Sequence, residues 1–135
     1  MKESTQPNKF GYPITVLETD IDEMGHANNV VYLRWVQEAA AAHWNHIASP
    51  QLKKTYAWVV VRHEIDYLQP AFLHNKLMAY TWIGEHKGAV SERYVDICNT
   101  ETGKKLATAK TTWCLLDAVS LRPKRIDATI HTVFK

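Results

Sequence analysis

The chain has 135 residues, the size of one domain of common length. Hydrophobic residues make up 46% and charged residues 22%, too apolar a balance for a disordered chain. Sixteen basic and 14 acidic residues leave a formal charge of +2, too weak a bias to imply nucleic acid on electrostatic grounds. No apolar run approaches the roughly 20 residues that cross a bilayer, and Met1–Asn8 has no apolar core of a secretory signal. Two cysteines, Cys98 and Cys114, make no disulfide framework and read as free thiols in the core of a cytoplasmic protein.

Residues 1–9 are expected to be a flexible tail on a single domain spanning 1–135. From Phe10 to Thr19 the chain turns extended, with Tyr12, Ile14 and Val16 alternating against Thr15 and Leu17. Thr19 to Asn29 has the acids, glycine and asparagines of a loop. Val30 to about Ile47 then reads as a helix, with Asn28 or Asn29 as N-cap and Ala39–Ala42 as its strongest helix formers. Only Arg34, Gln37 and Glu38 form a polar edge, so the helix is expected to be enclosed by the rest of the protein.

Four strands follow. Trp58 to Leu68 alternates, placing Val59, Val61, His63, Ile65 and Tyr67 on one face and Arg62, Glu64 and Asp66 on the other. Gln69-Pro70-Ala71 ends it. Leu77–His86 and Ser91–Cys98 are the next two, turning near Gly88. After the hairpin composition Asn99–Gly103, Lys105–Asp117 is the longest, with Ala107, Ala109, Thr111, Trp113 and Leu115 on one face. One strand, a long helix and four antiparallel strands form an α+β pattern with the helix against one sheet face. The absence of a βαβ rhythm and of a glycine-rich phosphate loop removes the dinucleotide- and nucleotide-binding folds.

The densest polar cluster is Thr19-Asp20-Ile21-Asp22-Glu23-Met24-Gly25-His26-Ala27-Asn28-Asn29, directly before the helix. As a calcium loop starting at Asp20 it fails twice, because Met24 and Val31 occupy the fifth and twelfth positions where oxygen ligands belong. A paired-aspartate phosphotransferase needs a parallel sheet and a longer chain. A metal site lacks a third partner for Asp22 and His26, and His43 and His46 are not part of a His-Glu-x-x-His helix.

Two readings remain. In one, Asp22 and His26 are acid/base groups beside the open amides of the helix start, from Asn28 to Val30, with Gly25 allowing close backbone approach. In the other, Asp20, Asp22 and Asn28 merely cap the turn and the helix.

Asp20-x-Asp22-x-x-Gly25-His26-x-Asn28-Asn29-x-x-Tyr32-Leu33-x-Trp35 resembles the signature of hotdog-fold acyl-CoA thioesterases, the 4-hydroxybenzoyl-CoA thioesterase family. Val59-Val60-Val61-Arg62 and Ile65-Asp66-Tyr67-Leu68-Gln69-Pro70-Ala71 are similar to that family's second strand and its exit turn. The likeness runs from about Tyr12 to Arg125. It implies a hotdog fold, an antiparallel sheet wrapped around one long helix, and hydrolysis of an acyl-CoA or acyl-carrier-protein thioester to a free acid without metal or prosthetic group. Coenzyme A is then part of the substrate.

The resemblance places the catalytic carboxylate at Asp22, and relatives also implicate the positions of His26, Asn28 and Asn29. It further implies a homodimer or homotetramer with sites at the interface. Gly25, Tyr32 and Arg62 complete the expected substrate-binding set, although Tyr32, like Trp35, also reads as helix core. Arg62, Lys87, Arg122, Lys124 and Arg125 are the cations available to the phosphates of coenzyme A. One departure stands out: Leu73-His74-Asn75 follows the Pro-Ala turn where relatives often carry an acid. The competing functions are a non-catalytic acyl-thioester binding module and a hotdog dehydratase or hydratase.

Overall fold

In the computed structural model, which describes residues 9–134, five strands form one antiparallel sheet. They are β1 (Phe10–Thr15), β2 (Tyr56–Tyr67), β3 (Lys76–Lys87), β4 (Val90–Asn99) and β5 (Lys105–Asp117). The sheet order is β1-β3-β4-β5-β2, so β1 and β2 are its edges. The long helix α1 (Asn29–Ile47) packs on one face, and two short helices, α2 (Pro50–Thr55) and α3 (Ala128–Val133), close one end. Of the predicted tail only Lys9 is described, with its ammonium 4.2 Å from the centroid of the Trp82 ring.

Alternation explains the packing. Leu77, Ala79 and Thr81 of β3, Val95 and Ile97 of β4, and Ala107, Ala109 and Thr111 of β5 are all buried, at period 2. They meet Tyr32, Trp35, Val36 and Ala39 of α1, the stripe at helical spacing that faces the sheet. A second, smaller core gathers Leu115, Ile126 and Ile130 with Trp44, Leu52, Tyr56, Trp58 and Phe134. Cys98 and Cys114 are buried and unbonded to one another.

Two expectations are corrected. The sheet-facing and outer faces of β2 exchange at a bulge between Val60 and Arg62, where Val61 is the extra residue. His63 and Ile65 are half-buried after it, whereas Val59 and Val61 before it are 42% and 58% exposed, so these residues do not share one face. Nor is α1 enclosed all round: Val30 is 68% exposed and Ala41 is also exposed, because a single sheet covers one face of a helix only.

Candidate functional site at the start of the long helix

The polar cluster folds as a small closed loop. A 3₁₀ turn at Glu18–Asp20 leads to an isolated bridge between Ile21 and Ala27. Inside it, the Asp22 N–H donates to the His26 carbonyl at 2.9 Å and the Gly25 N–H to the Asp22 carbonyl at 3.1 Å. Gly25 has φ +82°, the left-handed backbone that closes the turn and that a side chain resists. The loop is then pinned from outside. The Ala27 N–H donates to the Ala71 carbonyl at 2.8 Å, and the Tyr32 hydroxyl accepts the Ala71 N–H at 3.0 Å. The Gln69-Pro70-Ala71 exit of β2 therefore clamps both the loop and the first turn of α1.

The two aspartates divide their work. Asp20 is 1% exposed and accepts from the Leu17 N–H at 2.9 Å and from Arg34 at 3.0 Å. Arg34 also reaches Glu38 at 3.3 Å, so this polar edge of α1 ties the loop to the helix. Asp22 is half-buried. Its Oδ1 accepts the Met24 N–H at 2.9 Å, and Oδ2 has no donor among the described residues. One oxygen holds the turn and the other is available.

The helix start differs from the predicted row of open amides. The Asn28 N–H donates to the Asp20 carbonyl at 2.9 Å, and the Asn28 side chain accepts the Val30 N–H at 3.0 Å. Of the three, only the Asn29 N–H has no acceptor among the described residues. Asn28 is a satisfied N-cap, which is why its side-chain oxygen is already spent. The Asn29 carbonyl accepts the Tyr67 hydroxyl at 3.3 Å. His26 is half-buried, its ring edge-on to Phe72 with 5.2 Å between centroids.

The remaining predicted residues fall elsewhere. Tyr32 is 2% exposed, its hydroxyl committed to Ala71 and to the Gln69 carbonyl, so in this chain it is helix core and offers no free hydroxyl to a substrate. Arg62 is exposed on β2 just past the bulge, 3.5 Å from Glu64. Asp22, Gly25, His26, Asn28 and Asn29 share one loop; Arg62 is not brought to it by any contact among the described residues. No group of three His, Cys, Asp or Glu among them is placed to hold a metal ion.

Several apolar side chains of the loop and the neighbouring turn are exposed: Met24 at 76%, with Leu17, Tyr67, Leu68 and Phe72; Val59 and Val61 are exposed on the edge strand β2. A separate space lies toward the other end of α1. A cavity of about 240 Å³ is walled by Ala40, Trp44, Trp58, Arg93, Trp113 and Phe134 among others. Sequence patterning had an available signal for Arg93: it sits in the inward phase of Ser91-x-Arg93-x-Val95-x-Ile97.

An antiparallel sheet on one long helix, with a polar turn held at the helix start, is the hotdog architecture. Residues 16–133 match the family described as the Thioesterase-like superfamily, and the chain belongs to it. Solved structures share the fold. The 1,4-dihydroxy-2-naphthoyl-CoA thioesterase of Synechocystis superposes with a TM-score of 0.80 at 19% identity, over 93% of this chain and 95% of that one. The probable thioesterase YbaW of Escherichia coli gives 0.78 at 23% identity over 91% and 94%. An acyl-ACP thioesterase of Bacteroides thetaiotaomicron gives 0.78 at 19% identity over 92% of this chain but 52% of its own. No curated protein matches the chain. Among the described residues no helix is long and apolar enough to cross a membrane.

Proposed function

We propose that the protein hydrolyses acyl-CoA or acyl-carrier-protein thioesters at the Asp22 loop. The observation that carries this reading is the asymmetry of the Asp22 carboxylate: Oδ1 is fixed by the Met24 N–H, and Oδ2 is left without a donor beside a helix start whose Asn29 N–H is also open. A thioester carbonyl placed between them meets a base on one side and a hydrogen-bond donor at the positive end of α1 on the other. A thioester is weakly stabilised by resonance, so these two groups suffice without a metal or prosthetic group.

In the hydrolytic step, water adds to the carbonyl carbon and Asp22 Oδ2 takes its proton. The carbon–sulfur bond then breaks, and the proton passes to the departing thiolate. The alternative course, attack by Oδ2 itself, forms a mixed anhydride that water opens. In a single turnover in H₂¹⁸O, label found in Asp22 establishes the anhydride course with water attacking the Asp22 carbon, whereas label in the product acid is common to direct hydrolysis and to attack at the acyl carbon of the anhydride. His26 and Asn28 stand in the same turn, the Asn28 Oδ1 spent as the helix cap and its amide N–H₂ left to donate.

A second copy paired along β2 supplies the other wall of the cleft. Supporting that assembly, the edge of β2 presents unpaired backbone flanked by exposed Val59 and Val61. Pairing two β2 edges in a homodimer covers both, and Arg62 on that edge then stands near the partner's loop, where a coenzyme A phosphate needs a cation.

The test is release of free thiol from a panel of short, long and aromatic acyl-CoAs, wild type against Asp22→Asn. Turnover is expected to fall by about 10²–10⁴-fold in the variant with binding retained. Absence of hydrolysis by the wild type across the panel, with binding intact, makes the protein a thioester-binding module. Formation of a hydroxyacyl product without thiol makes it a hydratase.

A further inference from the structure

The cavity over the second half of α1 contains a charge that the chain does not neutralise. Arg93 is 5% exposed and projects from β4 into the seam between the two cores. Its Nη1 donates to His43 Nδ1 at 2.9 Å and to Thr81 Oγ1 at 3.0 Å, and its guanidinium lies 5.7 Å from the centroid of Phe134. No carboxylate lies within ion-pairing distance of it among the described residues. A guanidinium always donates, so His43 Nδ1 is the acceptor and the imidazole is neutral. Burial, then Arg93, then His46 hold His43 down at about 4, so it adds no negative charge either. Burial alone draws Arg93 down to about 9, still a cation at neutral pH.

A buried charge of this kind costs several kcal/mol unless something compensates it. Arg93 has donors to spare, since Nε and Nη2 have no acceptor among the described residues. Trp58 and Trp113 also line this cavity, and their indole N–H groups, buried beneath its surface, have no partner. Ser91, the cross-strand neighbour of Trp113, is part of the same wall. Native interiors leave few buried donors unsatisfied, and here a cation with spare donors borders a cavity whose two tryptophans also have unpaired N–H groups. The rest of the wall is Trp44, Phe134, Ile83 and alanines, apolar and largely aromatic. Ala41 on the rim is exposed, so the space communicates with solvent.

We propose that this cavity is a binding site for a carboxylate with an apolar, preferably aromatic, body. The carboxylate accepts from Arg93, and the body fills the space against Trp44, Phe134 and the flanking Trp58 and Trp113 rings. The site is distinct from the Asp22 loop: Ala40 follows Asn29 by eleven residues, about 16 Å along the helix axis. The carboxylate belongs either to a free acid or to the far end of an acyl group.

Phenylacetate and its neutral twin phenylacetamide, titrated into the full chain, test the charge. ¹⁵N-labelled tryptophan resolves the indole signals, with Trp58→Phe and Trp113→Phe supplying the assignments. Phenylacetate is expected to shift the Trp58 and Trp113 signals and to bind at least tenfold more tightly than the amide. Arg93→Met, which keeps the length of the side chain without its charge, is expected to abolish the preference for the acid. Ala57→Leu fills the cavity with Arg93 intact and is expected to weaken both ligands. Equal binding of acid and amide, or an unchanged acid preference in Arg93→Met, overturns the proposal.

A second arm compares hydrolysis of an ω-carboxyacyl-CoA with its uncharged analogue. A preference that Arg93→Met removes assigns the carboxylate to the acyl group, and phenylacetate binding without such a preference assigns it to a free acid. Only this arm rests on thioester hydrolysis, so an inactive protein that still binds phenylacetate through Arg93 sinks the proposed activity and leaves the carboxylate site standing.

Discussion

Protonation of His43 is expected to set much of the protein's sensitivity to acid. The ring is 5% exposed, stacked on Phe10 at 5.0 Å, and its one acceptor nitrogen receives Arg93. Its pKa is lowered from 6.5 to about 4, by burial first and by the neighbouring Arg93 and His46 next. A histidine depressed in this way supports the fold fully above 6.5, where it is neutral in both states. As pH falls from 6.5 towards 4, the unfolded chain takes up a proton that the folded chain refuses, and stability is lost. Linkage puts the loss between pH 7 and pH 5 at roughly 2 kcal/mol, or about 6–8 °C in Tm for a domain of this size.

His43→Gln keeps an acceptor for Arg93 and removes the titration. Urea unfolding at pH 7 and pH 5 should show the variant losing about 2 kcal/mol less than the wild type. His63, also lowered by burial, titrates in both proteins and cancels in the comparison. Parallel losses in the two proteins would refute the assignment of a neutral, Arg93-bound His43.

Two other perturbations probe the helix start and the open edge. Asn28→Ala removes the acceptor of the Val30 N–H and should cost about 1 kcal/mol by urea unfolding, with a wild-type slope. Val61→Lys puts a charge on the free β2 edge at its bulge and should turn a dimer into monomers in sedimentation velocity; an unchanged mass would remove β2 pairing as the assembly.

How far the sequence carried the fold depended on whether local pattern and tertiary packing agree. They agree in β5, where the inward set Ala107, Ala109, Thr111, Trp113 and Leu115 has no interruption, and in α1, whose N-cap Asn28 marks its start and whose alanine run lies within it. They disagree in β2: the pattern Val59-Val61-His63-Ile65 is unbroken at period 2, yet one extra residue at Val61 shifts the phase halfway. The short helices carried signals that went unused. Ser49-Pro50 caps and starts α2, and Asp127 accepts the Thr129 and Ile130 N–H groups to start α3. Six residues are too few to be helical without packing, which Leu52 and Ile130 provide through the second core.

The loop was legible because its residues are contiguous. What escaped was the state of its hydrogen bonds, since only the folded chain shows that Asp20 and Asn28 have already taken two of the helix-start amides. Arg93 escaped for the opposite reason, its partners His43 and Thr81 being distant in sequence.

The placement of these groups along α1 has a physical consequence. A carboxylate with a spare oxygen and a guanidinium with spare donors would neutralise each other if the fold brought them together, and each would lose its capacity to act on a ligand. The chain instead spends other residues on pairing. Asp20 takes Arg34, and Arg34 takes Glu38, so the polar edge of the helix is closed within itself. Asp22 at one end and Arg93 over the other half are left with only backbone or neutral partners: the Met24 N–H for the acid, a hydroxyl and an uncharged imidazole for the base. Between them lies the apolar stripe of Tyr32, Trp35, Val36 and Ala39 against the sheet, which offers neither group a counter-charge. The helix thus separates two complementary charges by a packed core, and neither is neutralised by the other.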